Sequence, residues 1–231
     1  LVAVAKRTQL AFRKLVGRME RMVILAREKR RREKPIGEQM GYDEQRRQLI
    51  DEGTLALSQN NLQAAEMKYI AAIRIDPKSE EAYRGLGDVY AGQGQKKEAK
   101  ETFEFLLKLN PANEYALMQC ADLAIEEGKL EEAVSYYQQA VLVNPNLAPR
   151  FFKLAELLKD LGQHETALEA IMQAVELEPE NPKYLDFLVE VSILAGDKNA
   201  AEEGVQRLRM ANPDNQKLDV LRDKIRKMES T

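Results

Sequence analysis

A chain of 231 residues with 35 Lys+Arg, 38 Asp+Glu, no Trp, one Cys and one His excludes several classes at once. Cys120 forms no intrachain disulfide, and Cys120 with His164 cannot supply the ligand set of a structural zinc. Many helix formers and 44% hydrophobic residues predict a packed, all-α protein rather than a disordered one.

The net charge of −3 joins unlike parts. Residues 1–34 hold 12 Lys+Arg against Glu20, Glu28 and Glu33, a balance of +9 that leaves −12 for the rest. In this arm Val2, Ala5, Phe12, Val16, Met19, Val23 and Ala26 recur at steps of three, four and seven, widened by Leu15, Met22 and Leu25. Lys and Arg fill the other side and end in Lys29–Arg30–Arg31–Arg32, which predicts a basic amphipathic helix. Three functional roles suit it. It packs on an acidic surface of its own chain or of a second copy, giving self-association. It lies beside a membrane as the cytoplasmic flank of an upstream helix that ends at Leu1–Val2–Ala3–Val4–Ala5, an expectation in keeping with a chain that begins at Leu1 rather than Met. Or it binds nucleic acid, ranked last because no nucleic-acid-binding fold accompanies it. A purely structural role, as a helix capping the first repeat, is the fourth. No apolar run approaches the roughly 18 residues of a membrane span. The expected location is the cytoplasm or the cytoplasmic face of a membrane. Pro35, Gly37 and Gly41 then predict a linker over 35–43, with the first repeat helix starting by 45.

From there a period of 34 runs down the chain. Pro77, Pro111, Pro145, Pro179 and Pro213 share one register, and Ala65, Ala99, Ala133, Ala167 and Ala201 a second. Asn60, Gly94, Gly128, Gly162 and Gly196 form a third, at residue types that enter the left-handed backbone region. Each period reads as two short amphipathic helices. Over 80–113 the first follows the N-cap Ser79 and carries Tyr83, Leu86, Gly87 and Tyr90 on one face. The second carries Ala99, Phe103 and Leu106 and stops at Asn110–Pro111. A hairpin this small cannot bury its own faces, so neighbours must stack.

These residues resemble the tetratricopeptide-repeat (TPR) family. Its pattern is met by Tyr83, Leu86–Gly87, Tyr90, Ala99, Phe103 and Pro111, and by Leu49, Gly53, Ala65, Tyr69, Ala72 and Pro77 one repeat earlier. Leu117, Ala121, Ala133, Tyr137, Ala140 and Pro145 follow, then Phe151, Leu154–Ala155, Ala167, Ala174 and Pro179. The most divergent set is Leu185, Leu188, Val189, Ala201 and Pro213, with Ser192 in place of Tyr. The resemblance implies five repeats (46–79, 80–113, 114–147, 148–181, 182–215) in a right-handed α-α solenoid, with 216–231 as a capping helix whose apolar side is Leu218, Leu221 and Ile225.

The single reactive types have plain readings: Cys120 falls on a buried face, and His164 opens an exposed helix without a triad partner. No phosphate loop, carboxylate pair or metal cluster appears, so no cofactor and no catalysis are expected.

The resemblance also implies a concave groove lined by the first helix of each repeat. Position 9 reads Thr54, Asp88, Asp122, Glu156 and Glu190; position 5 reads Ile50, Arg84, Met118, Phe152 and Asp186; position 12 reads Leu57, Ala91, Ile125, Lys159 and Ile193. Four carboxylates in one column, beside Met118, Ile125, Phe152 and Ile193 as exposed apolar spots, predict an acidic groove for a basic, partly apolar helix or peptide. Family members that hold acidic chaperone tails use a Lys/Asn/Arg clamp there; Ile50, Thr54, Asp88 and Asp122 would repel such a tail. The expected role is a protein–protein interaction scaffold. The alternative is a regulatory or adaptor subunit of an enzyme or secretion complex, docked through its basic arm.

Overall fold

The computed structural model describes residues 36–228, with side chains from Gly41 onward. The basic helix expected over 1–34 lies outside the described residues. Those residues form eleven α-helices and no strand: α1 Ile36–Ser58, α2 Leu62–Ile75, α3 Glu80–Gly92, α4 Lys96–Leu109, α5 Glu114–Glu126, α6 Leu130–Val143, α7 Ala148–Asp160, α8 His164–Leu177, α9 Pro182–Ala195, α10 Lys198–Ala211 and α11 Leu218–Lys227. The linker expected over 35–43 is not there: from Ile36 the backbone is helical, straight through Gly37 and Gly41. A helical glycine costs about 1 kcal/mol against alanine, too little to stop a 23-residue helix.

The loops between paired helices obey one rule. Asn60 has φ 57°, and Gly94, Gly128, Gly162 and Gly196 have φ 71–76°. Each second helix closes on a residue whose N–H bonds a carbonyl four back, as from Asp76 to Ala72 and Asn110 to Leu106, before the proline of the period. Ser79 caps α3 as its sequence predicts, its hydroxyl accepting from the Ala82 N–H.

The helices group into two compact units, up to Ala116 and from Leu117, with α5 running through the boundary. In unit one, α2 packs on α1 and α3, and α4 on α3. Its core is Tyr69, Tyr83, Leu86, Val89, Phe103, Phe105 and Leu106, with Tyr83 and Phe105 rings 4.8 Å apart. In unit two, α6 through α10 pack in succession and α11 closes on α9 and α10. Leu218, Leu221 and Ile225 of α11 are buried, as a capping helix requires.

Close approach within a hairpin rests on positions 8 and 24 of the repeat. The Gly53 Cα faces the Tyr69 ring, and the Gly87 Cα faces the Phe103 ring so closely that an added Cβ would enter it. Tyr69 also fills the space over Gly85 of the next repeat, which leaves no room for a Cβ there either. Further along, position 8 becomes Ala121, Ala155 and Val189 while position 24 becomes Tyr137, Ile171 and Val205, all buried. In the last two repeats the first-helix residue is larger and the second-helix residue smaller than in the first two, and the added bulk of Val189 meets Gly204.

Gly87→Ala is expected to lower stability by about 1–3 kcal/mol through overpacking, despite alanine's helix preference. Adding Phe103→Ile should recover part of that loss. Urea denaturation of the single and double variants checks both. Gly128→Ala, forced into the left-handed region, is expected to cost about 1–2 kcal/mol by the same measurement.

Candidate functional site

Steps of four and three put positions 5, 9 and 12 on one face of each first helix. Unit one presents this face from α1 and α3. Thr54 donates to the Ile50 carbonyl at 2.9 Å and lies 3.1 Å from the Tyr69 hydroxyl. Asp88 accepts from the Tyr115 hydroxyl at 2.5 Å, and the Arg84 guanidinium sits 5.5 Å from the Tyr115 ring centre. Loss of hydration is the main cause that raises the Asp88 carboxyl above its usual range, against the Tyr115 hydrogen bond and Arg84. A cleft of about 500 Å³ lies here, lined by Arg46, Arg47, Ile50, Thr54, Tyr69, Arg84 and Asp88 among others. Its arginines make it less acidic than the column at position 9 suggested, because Arg46 and Arg47 sit at positions 1 and 2, outside the columns read from sequence.

Unit two presents the rest of the ladder from α5, α7 and α9, and here lysines intervene. Lys159 meets Glu190 at 3.1 Å, Lys217 meets Asp186 at 2.5 Å, and Lys153 meets Glu156 at 3.3 Å. The hydrogen bond to Asp186 holds the Lys217 ammonium above its ordinary value. Lys217 was not legible as a site residue, because its partner is set by helix packing, whereas Lys153 meets Glu156 one turn on in the same helix. Asp122 is exposed and forms no ion pair among the described residues. Desolvation raises its carboxyl, with Lys153 opposing and Glu126 adding to the rise. Burial, then Asp122 and Glu156, push the Tyr137 hydroxyl up to about 12, so both carboxylates bear on one phenol.

The apolar spots differ from expectation. Phe152 is buried at 6% exposure, its ring centre 5.0 Å from Tyr184 and 5.1 Å from Phe187, with the Lys183 ammonium 4.1 Å from its face. Position 5 of α7 turns toward α9, and two aromatics on α9 complete a core cluster no single repeat reveals. Met118, Ile125 and Ile193 are half-buried against the core rather than exposed. Ile193 lines a second cleft, about 390 Å³, with Asp186, Glu190, Leu194, Lys217, Val220, Leu221 and Lys224. Cys120 is fully buried and His164 half-buried, the latter less exposed than expected. Among the described residues, no group of three or more His, Cys, Asp or Glu could hold a metal ion, and no helix is long and apolar enough to cross a membrane.

A TPR-repeat profile matches residues 53–94, and two tetratricopeptide-repeat profiles match 86–149 and 148–181. The chain belongs to the tetratricopeptide-repeat family. The fifth expected repeat, 182–215, lies past the matched residues; there α9 and α10 are joined by a turn with Gly196 in the left-handed region. Solved structures share the TPR fold. YrrB, described as a TPR protein with an unusual peptide-binding site, is 23% identical, over 76% of this chain and 90% of its own, with a TM-score of 0.59. The MamA protein is 18% identical over 76% and 96%, with a TM-score of 0.61. A tetratricopeptide repeat protein from Parabacteroides merdae ATCC 43184 is 20% identical over 81% and 74%, with a TM-score of 0.60. No curated relative matches the sequence. TPR proteins are protein-interaction scaffolds, typically without catalysis, and bind other proteins or peptides.

The raised Asp122 carboxyl sets a pH dependence. A carboxyl held above its unfolded value favours the fold at acid pH and loses that contribution as pH rises through its folded value. Asp122→Asn is therefore expected to melt above the parent chain at pH 7. The two melting curves should converge as pH falls toward the unperturbed value of 3.8. Thermal melts followed by circular dichroism across that range check it.

Proposed function

We propose that this TPR chain is a scaffold whose α5–α7 face binds a basic, partly apolar helix or peptide. The observation that carries the reading is the imbalance at Asp122. Asp122 forms no ion pair among the described residues, and Lys153, the cation acting on it, is already paired with Glu156. Half-buried Met118 and Ile125 flank Asp122 one helical turn to each side, offering apolar surface beside unneutralised charge. A partner's Lys or Arg gains a carboxylate there, and its apolar side chains cover Met118 and Ile125.

The α9 acids play a different part. Asp186 and Glu190 are already met by Lys217 and Lys159, so a basic partner would have to displace a lysine to use them. Exposed pairs of this kind contribute about 0–1 kcal/mol each. Their main effect is to tie α7 to α9 and the start of α11 to α9.

The test uses an amphipathic peptide of Lys and Leu at helical spacing, titrated into the full chain. Asp122→Lys with Glu156→Lys is expected to weaken its binding by more than about tenfold and to leave the circular dichroism spectrum intact. Affinity in the parent chain should fall as salt rises. Unchanged affinity in the reversed variant removes this face as the binding site.

A further inference from the structure

In α3, α7 and α9, each packed on the helix before it, the residue at position 10 is a buried apolar side chain: Val89, Leu157 and Val191 are 0%, 3% and 0% exposed. Leu123 of α5 is likewise buried at 7%. In α1 that position is Leu55, and it is 59% exposed. The sequence keeps the apolar type while the described residues supply nothing to cover it.

Leu55 does not stand alone. Glu44, Gln48, Asp51 and Leu55 follow at steps of four, three and four and form one exposed stripe along α1. Gln48 and Asp51 occupy the positions that Ala82 and Gly85 hold in α3, where both are buried and Tyr69 of α2 fills the space over Gly85. The stripe is thus the face a preceding helix would meet, carrying one leucine and two carboxylates. Glu44 and Asp51 form no ion pair among the described residues.

The chain holds a matching element. Residues 1–34 end one residue before α1 begins, carry a balance of +9, and repeat apolar side chains at steps of three, four and seven. At 1.5 Å per residue a helix of that length spans about 50 Å, more than the 23 residues of α1 require. We propose that residues 1–34 turn at Pro35 and lie back along α1 of the same chain, covering Leu55 with their apolar stripe and setting Lys and Arg against Glu44 and Asp51. The assignment is independent of the α5–α7 binding face and gives the basic arm a structural place at the head of the repeats.

Thiol labelling of the full chain tests it. Cys120 is fully buried and silent, so Leu55→Cys and, as an exposed reference, Met67→Cys report separately. Leu55→Cys is expected to alkylate at least about tenfold more slowly than Met67→Cys, a covered site opening only transiently. Val16→Asp with Met19→Asp should restore the fast rate, dilution should change nothing, and reversal of Asp122 and Glu156 should leave the protection intact. Leu55→Trp, the sole tryptophan of its chain, gives a second readout: iodide should quench it poorly until the Val16 and Met19 changes are added. Labelling of Leu55→Cys as fast as Met67→Cys overturns the proposal. So does protection that survives the Val16 and Met19 changes, or protection that dilution abolishes.

Discussion

Everything in this fold depends on how closely two helices of one hairpin approach. A backbone with no Cβ at Gly87 lets the Phe103 ring lie against it, and Gly53 does the same for Tyr69. Two aromatics are thereby buried at small positions, and burying a large apolar side chain contributes about 1.5–3 kcal/mol. Because Tyr69 also fills the space over Gly85, that packing links one hairpin to the next. The later repeats reach the same end with Ala155 and Ile171, or with Val189 and Val205 beside Gly204. Close packing at these two positions, rather than residue identity, recurs from repeat to repeat.

This constraint separates the hairpin-packing positions from the rest of each first helix. Positions that build the hairpins point inward and are apolar or small; the carboxylates gather at position 9 and at Asp186 of position 5, although position 5 also gives the core its buried Phe152. The variation has two outcomes. Where a lysine of an adjoining helix lies within reach, as for Glu190 and Asp186, the carboxylate becomes an inter-helix tie. At Asp122 the carboxylate stays exposed and forms no ion pair among the described residues. The same column of the sequence therefore holds both structural ties and the proposed contact point for a partner.

The parts legible in sequence were those set by local chemistry. Left-handed turns need Gly or Asn, and Gly94, Gly128, Gly162, Gly196 and Asn60 mark all five. Ser79 announced its cap, and Leu218, Leu221 and Ile225 announced the buried side of the last helix. What stayed hidden depends on partners about one repeat away. Phe152 looked like an exposed anchor because its cover, Tyr184 and Phe187, comes from the following repeat. Lys159 and Glu190, 31 residues apart, meet only once α7 and α9 are packed. Gly37 and Gly41 misled for a different reason: each weakens a helix, but neither stops one that long.

The central claim is that the recognition surface lies on the first-helix face around Asp122 and apart from the packing positions. Backbone chemical-shift mapping of the full chain with the Lys–Leu peptide addresses it most directly. The account predicts saturable shifts centred on Met118, Asp122, Ile125 and Glu156, with Ala155, Ile171, Val189 and Val205 unmoved. Shifts centred instead on exposed second-helix side chains such as Leu142 and Met172 would contradict it.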